Sequence, residues 1–207
     1  KRSTSLKPSS FRDKHGLLDE NKINKFRTRE IIAIHKKLEI QEPDLKLTSK
    51  RRKIELPKSI NEYSKTIDSL GKILALYRNH LVPCHNDIVP ENIINSHHQI
   101  YLVDFDYSGN NDFCFDLGNL SVEMGYNENQ VNQLVKYYCG TIQEKILSRV
   151  YLQSIISDIG WSLWGYLQAR ISNLDYDFKK YASIRWERAV NKLESKDYKL
   201  WLVCTNN

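Results

Sequence analysis

The sequence predicts a mainly α-helical lobe that carries one small β-hairpin. Three observations point there: apolar residues recur at helical spacing on both sides of residues 81–109, that stretch alone has β-favouring runs, and no internal repeat or low-complexity tract interrupts the pattern. Residues 20–38 place Ile23, Phe26, Ile31, Ile34 and Leu38 near a helical period, with Asp19 as the predicted N-cap. Residues 40–57 hold Pro43, Pro57 and a basic run, and read as a loop. Ser59 followed by Glu62 is a capping-box pattern that opens a second helix. Its buried stripe is Ile60, Tyr63, Ile67, Leu70, Leu74 and Tyr77. The runs 93–95 and 100–103 flank a polar turn at Ser96–Gln99 and predict a hairpin. Helices follow at 114–124, 128–139, 143–173 and 177–201, with a break near Asn173–Asp175.

Composition narrows the class of protein. The 207 residues are 41% hydrophobic, enough for a packed core, and contain no apolar run long enough to span a membrane. The opening KRSTSLKPSSFRDKH is basic and Ser-rich without the apolar stretch of a secretion signal, and reads as a solvated chain end rather than a transit peptide. Cys84, Cys114, Cys139 and Cys204 are far apart and form no C-x-x-C pair. That argues against a zinc site or a disulfide framework, and for reduced thiols in a cytoplasmic protein.

The net charge of +6 is unevenly divided. Residues 1–60 hold 17 Lys/Arg against 8 Asp/Glu, whereas residues 61–207 hold 14 against 17. The dense patch LTSKRRKIELP reads as a solvated loop rather than a nucleic-acid or nuclear-import element. The acidic remainder suits a site for Mg²⁺ and a cationic substrate.

The chemistry-bearing stretch is His85-Asn86-Asp87-Ile88-Val89-Pro90-Glu91-Asn92, followed by Val103-Asp104-Phe105-Asp106. The first fits the catalytic-loop spacing His-x-Asp-x-x-x-x-Asn, and the second puts a carboxylate at a strand end as the D-F-G segment does. Phosphoryl transfer needs an acceptor hydroxyl held in line and cations to absorb charge on phosphate oxygens. Asp87 suits the role of base and orienter. Asn92 and Asp104 offer the hard oxygens that Mg²⁺ prefers, and Asp106 is a candidate for a second ion or its water shell. His85 reads as either a catalytic group or, better, a brace for the loop. Each motif is weak alone, and a polar loop without chemistry is the competing reading. The two in order, with a hairpin between them, outweigh it.

The blocks HNDIVPENII, YLVDFDYSGNNDFCFDLGNLSVE and IGWSLWGYLQARIS resemble the choline/ethanolamine kinases, notably bacterial choline kinases of the LicA type, over roughly residues 60–190. The first block is shared with aminoglycoside phosphotransferases and related kinases, so it marks only the superfamily. The resemblance implies the C-terminal lobe of a protein-kinase-like fold over residues 20–207, with 1–19 as a lobe-connecting segment. It also implies ATP as co-substrate and Mg²⁺ at Asn92 and Asp104. Glu123 matches an acid near the substrate, and Trp161 and Trp164 match two tryptophans that face the choline headgroup. Tyr107, Tyr176 and Tyr181 lie near positions that complete an aromatic wall. From spacing alone, Trp161 and Trp164 share one helix face and would be core residues; the resemblance turns them towards binding. A quaternary ammonium has no N–H donors, so ring faces and a nearby carboxylate must hold it. Trp186 and Trp201 are assigned to packing, Asp116 to bracing the catalytic loop, and Asp112 to capping a turn.

The eight glycines make no G-x-G-x-x-G, and the catalytic loop begins only at residue 85, so the ATP-gripping N-terminal β lobe is expected to be largely absent. A fragment of a longer kinase, a naturally short protein, or a lobe supplied by another polypeptide would each explain this. In every case the chain alone is expected to show negligible turnover. The expected activity of the whole protein is phosphorylation of choline to phosphocholine for lipid or cell-surface chemistry. The alternatives are ethanolamine, an aminoglycoside or another small alcohol as acceptor, and a non-catalytic choline-binding module. No nucleic acid or membrane insertion is expected, and a homodimer is compatible with the sequence.

Overall fold

The computed structural model describes residues 56–76, 81–96 and 99–206. The predicted segment 1–19, the helix at 20–38, most of the loop at 40–57, and Tyr77 lie outside the described residues. Helix α1, Ile60–Ala75, buries Leu70 and Leu74, the middle of the predicted stripe. The capping box foreseen at its start does not form, and the Ser59 side chain makes no cap bond. Its hydroxyl instead accepts a hydrogen bond from the Trp186 indole at 2.9 Å. A buried indole N–H needs a partner, and that tertiary demand overrides the local cap.

Strand β1, Leu81–Cys84, leads into the polar loop and a short 3₁₀ turn at Pro90–Asn92. Strands β2, Ile93–Ser96, and β3, Gln99–Leu102, pair antiparallel with Ile93 opposite Leu102. The Val103 amide continues the ladder by donating to the Asn92 carbonyl at 3.0 Å. This hairpin is the predicted one. A second sheet was not foreseen: β4, Gly109–Asp112, pairs with β1, Leu81 opposite Asp112 and Cys84 opposite Gly109. Gly, Asn and Asp are poor strand formers, so Gly-Asn-Asn-Asp gives no strand signal of its own.

Five helices complete the described residues: α2 Phe113–Glu123, α3 Glu128–Cys139, α4 Glu144–Ile171, α5 Phe178–Leu193 and α6 Lys196–Asn206. The first three match the sequence reading closely. The expected single helix at 177–201 is two. Between them, the Ser195 hydroxyl accepts from the Tyr198 amide at 3.2 Å, an N-cap that starts a new helix without Gly or Pro as a signal. Helix α4 is central and packs against α1, α2, α3, α5 and α6. One core joins Leu70, Leu152, Ile155, Ile159, Trp186, Ala189 and Leu193, and a second joins Cys114, Leu117, Val131, Val135 and Val150. Trp186 is buried in the first, and Trp201 stacks on Tyr151 at 4.7 Å, so both pack as expected. Among the described residues, no helix is long and apolar enough to cross a membrane.

Two glycines set how closely helices approach α4. A Cβ at Gly118 would lie 2.7 Å from the Ser154 amide nitrogen and 2.8 Å from the Val150 carbonyl oxygen, so α2 and α4 meet backbone to backbone. A Cβ at Gly165 would lie 2.9 Å from both Ala182 and Tyr181 side-chain atoms, so its absence lets α5 carry Tyr181 against α4.

Candidate active site

The loop after β1 is held by side chains that reach it from α2. Asp116 accepts two backbone hydrogen bonds, from the amides of His85 and Asn86, each at 2.7 Å. Burial pushes the Asp116 carboxyl above its ordinary value, and the two amides pull against that rise. One turn further on, the fully buried Asn119 donates to the Ile88 carbonyl at 3.0 Å and accepts from Ser157 on α4 at 2.6 Å. Asp116 therefore braces the loop as foreseen. Asn119 was missed, although a polar residue three after Asp116 shares its helix face and is a readable signal.

Asn86 ties the same knot from within. Its φ of 67° is left-handed, a conformation that Asn adopts more readily than most residues. Its amide donates to the Tyr107 carbonyl at 2.9 Å, and its oxygen accepts from Asn111 on β4 at 2.8 Å. Asp112 does more than cap a turn. It accepts from the Cys114 amide at 3.0 Å as N-cap of α2, pairs with buried Arg149, and accepts from Gln153 at 2.8 Å. Arg149 also donates to the Leu74 carbonyl at 2.7 Å, so this cluster joins α1, α2 and α4 behind the site.

His85 is buried and both its nitrogens are engaged. Nδ1 accepts from the Asp87 amide at 3.3 Å, which leaves Nε2 to donate to the Val103 carbonyl at 2.8 Å. The ring therefore bridges the catalytic-loop motif to the strand end that precedes Asp104. Its centroid also lies 4.6 Å from that of Phe105.

Asp87 is half-buried, and its carboxyl is raised above the ordinary aspartate value, first by burial and then by the negative charges of Asp104 and Glu123. Arg185, and any positive charge on His85, pull the other way. These couplings bring the two sequence motifs and Glu123 into one electrostatic neighbourhood. A raised carboxyl value means that the folded state disfavours the ionised form, so Asp87's contribution to stability is present below about pH 4 and lost as pH rises through the folded value. Asp87→Asn is therefore expected to melt above wild type near neutral pH, with the gap closing on acidification towards about pH 4. Thermal unfolding at both pH values checks this.

Asn92 is buried, and its amide nitrogen donates to the Asp87 carbonyl at 3.0 Å. The amide oxygen is thus the end left to act as an acceptor. Asp104 is exposed with a left-handed φ of 62°, and follows the residue whose amide bonds Asn92's carbonyl. One amide oxygen and one carboxylate beside the loop are a donor set that fits Mg²⁺, which takes few protein ligands and fills its sphere with phosphate and water. Asp106 sits exposed in the Phe105–Ser108 turn. Among the described residues, no three His, Cys, Asp or Glu side chains gather as a metal cluster.

The aromatic residues form a continuous edge-to-face series. Tyr107 meets Trp161 at 5.4 Å between centroids, Trp161 meets Trp164 at 5.6 Å, and Trp164 meets Tyr181 at 6.1 Å. Phe178, which the sequence reading missed, touches Trp164 at 5.7 Å and Tyr176 at 4.9 Å. Beside Tyr176 and Tyr181 at the end of this series opens a pocket of about 370 Å³, whose lining also includes Glu123, Asp177, Arg185 and Arg188 but not Asp87, Tyr107, Trp161 or Trp164. The Tyr181 hydroxyl is pushed up to about 12, mainly by burial, with Glu123 and Asp87 among the smaller causes. Asp87 thus acts weakly on Tyr181, the ring at the far end of the series from Tyr107. Glu123 is not free: it forms an ion pair with Arg185, whose guanidinium also lies 4.5 Å over the Tyr181 ring.

A braced loop carrying an aspartate, with an amide oxygen and a carboxylate beside it, can orient a hydroxyl and offer oxygens to a hard cation. The family model for choline/ethanolamine kinase matches residues 20–143. The chain belongs to the choline/ethanolamine kinase family. Ethanolamine kinase 2 of Mus musculus is 30% identical over 165 residues, which are 66% of this chain and 43% of that protein. A choline/ethanolamine kinase family protein from Mesorhizobium loti has a crystal structure that superposes with a TM-score of 0.70 at 30% identity, covering 75% of this chain and 53% of that one. The choline kinase LicA from Streptococcus pneumoniae gives a TM-score of 0.58 at 26% identity, covering 78% of this chain and 54% of that one. The chain thus spans about half the length of the relatives it matches.

Proposed function

We propose that this chain supplies the catalytic loop and acceptor pocket of an ATP-dependent kinase that phosphorylates choline. One observation carries the reading: Tyr181, which the ring series reaches from Tyr107 through Trp161 and Trp164, lies within electrostatic reach of the raised carboxyl of Asp87. In this reading Asp87 orients the acceptor hydroxyl and takes its proton. A raised carboxyl value makes it a better base than an ordinary aspartate. His85 positions Asp87 in this reading, its ring held between the Asp87 amide and the Val103 carbonyl. Asn92 Oδ1 and the Asp104 carboxylate would hold Mg²⁺, which when bound offsets charge on the transferred phosphate. Asp106 is kept as a candidate for its water shell. Trp161, Trp164, Tyr107, Tyr176 and Tyr181 receive the cationic headgroup on ring faces, with Glu123 contributing through its neighbour Arg185. The division into a connecting segment 1–19 and a catalytic lobe 20–207, and a cytoplasmic setting, belong to the same reading.

Titration calorimetry of the 207-residue chain tests the pocket. Choline should bind with a Kd between roughly micromolar and millimolar, as two or three ring contacts of about 2 kcal/mol each would give after ordering costs. Absence of choline binding at tens of millimolar would sink the proposal. Any phosphocholine formed with ATP and Mg²⁺ should vanish in Asp87→Asn, and formation that persists rules out Asp87 as the base.

A further inference from the structure

The pocket beside the ring series contains a cation of its own. Arg185 is 4% exposed, pairs with Glu123, and lies over the Tyr181 ring. A carboxylate and a ring face are the two things that an incoming cationic headgroup would seek, and Arg185 already holds both. Its attachment to Glu123 is enforced from behind. The fully buried Asp158 lies 3.7 Å from Arg185 Nη1, but both its oxygens are taken by Arg188 and it also accepts from Lys192 at 3.4 Å. With Asp158 balanced by two other cations, Arg185 is the one left for Glu123. The other carboxylate that lines the pocket, Asp177, is exposed and accepts from the Lys180 amide at 2.9 Å as N-cap of α5, and Asp87 acts on Tyr181 from outside the lining.

We infer that Arg185 sets the headgroup preference of the pocket, by keeping Glu123, its half-buried carboxylate, occupied so that the inner wall offers ring faces and only the exposed Asp177 remains as an acid. This rests on the proposed acceptor site. A primary ammonium brings three N–H donors that must leave water, and each donor left unmet inside costs its full desolvation penalty. A quaternary ammonium has no such donors and is held by ring faces alone. A neutralised Glu123 therefore penalises ethanolamine-like headgroups more than choline-like ones. Arg185 does not touch the transferred phosphate in this account. It acts on specificity through Glu123.

The test is calorimetry with choline and with ethanolamine on the wild-type chain, Arg185→Gln, and the double variant Glu123→Gln/Arg185→Gln, with circular dichroism melts to confirm folding. Arg185→Gln frees Glu123 and should shift the ratio of the two dissociation constants towards ethanolamine by about tenfold or more. The double variant removes both charges together and should keep choline affinity within about threefold of wild type. A folded Arg185→Gln with a ratio within about twofold of wild type overturns the inference. So does a double variant that loses choline binding by about tenfold, since Glu123 would then act directly on the headgroup. If Arg185→Gln fails to fold, the double variant decides. Failure of the wild-type chain to bind either headgroup removes the acceptor site itself, whereas intact choline binding with an unmoved ratio removes only the role of Arg185.

Discussion

Asp158→Ala is expected to destabilise the fold by about 3–5 kcal/mol, because it leaves buried cations without their counter-charge. Asp158 is fully buried in α4, and Arg188 binds it through Nε at 2.9 Å to each oxygen as well as through Nη2. Lys192 reaches it at 3.4 Å, and Arg185 lies 3.7 Å away. Burial already lowers the Lys192 ammonium below its ordinary value, and Asp158 is the main charge opposing that fall. Without Asp158, Lys192 should lose its proton more readily, while the two guanidinium groups cannot. Arg188 also donates to the Val122 carbonyl at 3.0 Å, so its displacement would disturb the end of α2 beside Glu123. Urea unfolding is the measurement: the midpoint should fall by about 1–2 M. Asp158→Asn, which keeps the shape and one acceptor, should lose less. A midpoint within experimental error of wild type for the Ala variant would show that the cations find other partners.

Trp161→Ala is expected to weaken choline binding by about 2 kcal/mol, roughly thirtyfold, and ethanolamine binding by less. Trp161 is an inner member of the ring series, touching Tyr107 on one side and Trp164 on the other. Its loss removes one ring and also frees the two that it holds edge-on. Trp161→Phe keeps an aromatic face of smaller quadrupole, so it should fall between wild type and Ala. Calorimetry on the three proteins checks the order. Choline affinity unchanged in the Ala variant would return Trp161 to a packing role.

Periodicity made the helices α1 to α4 readable, because each buries one stripe or a whole surface in the two cores. The hairpin was readable because β-favouring runs at Ile93 and Ile100 flank a polar turn. The β1–β4 pair was not, since Gly109–Asp112 is strand only by virtue of its partner at Leu81–Cys84. The break between α5 and α6 was hidden for a related reason: Ser195 caps a helix without any breaker residue before it. At the site, the spacing of Asp87, Asn92 and Asp104 and the pair Trp161 and Trp164 could be read directly. The capture of Glu123 by Arg185 could not, because the two are 62 residues apart and meet only once α2 and α5 pack on α4. Nor could the engagement of both His85 nitrogens, which depends on where Val103 lies.

The bare hydrogen of Gly118 also acts at a distance. The helix it lies on carries Asp116, which grips the loop of Asp87, and the helix it touches carries the tryptophans two turns beyond Ser154. The distance between the loop of Asp87 and the rings at Trp161 and Trp164, which in the proposed site an acceptor would bridge, is therefore gauged at a contact well away from both. A methyl group there would act as a wedge, altering the spacing between loop and rings before altering the residues themselves.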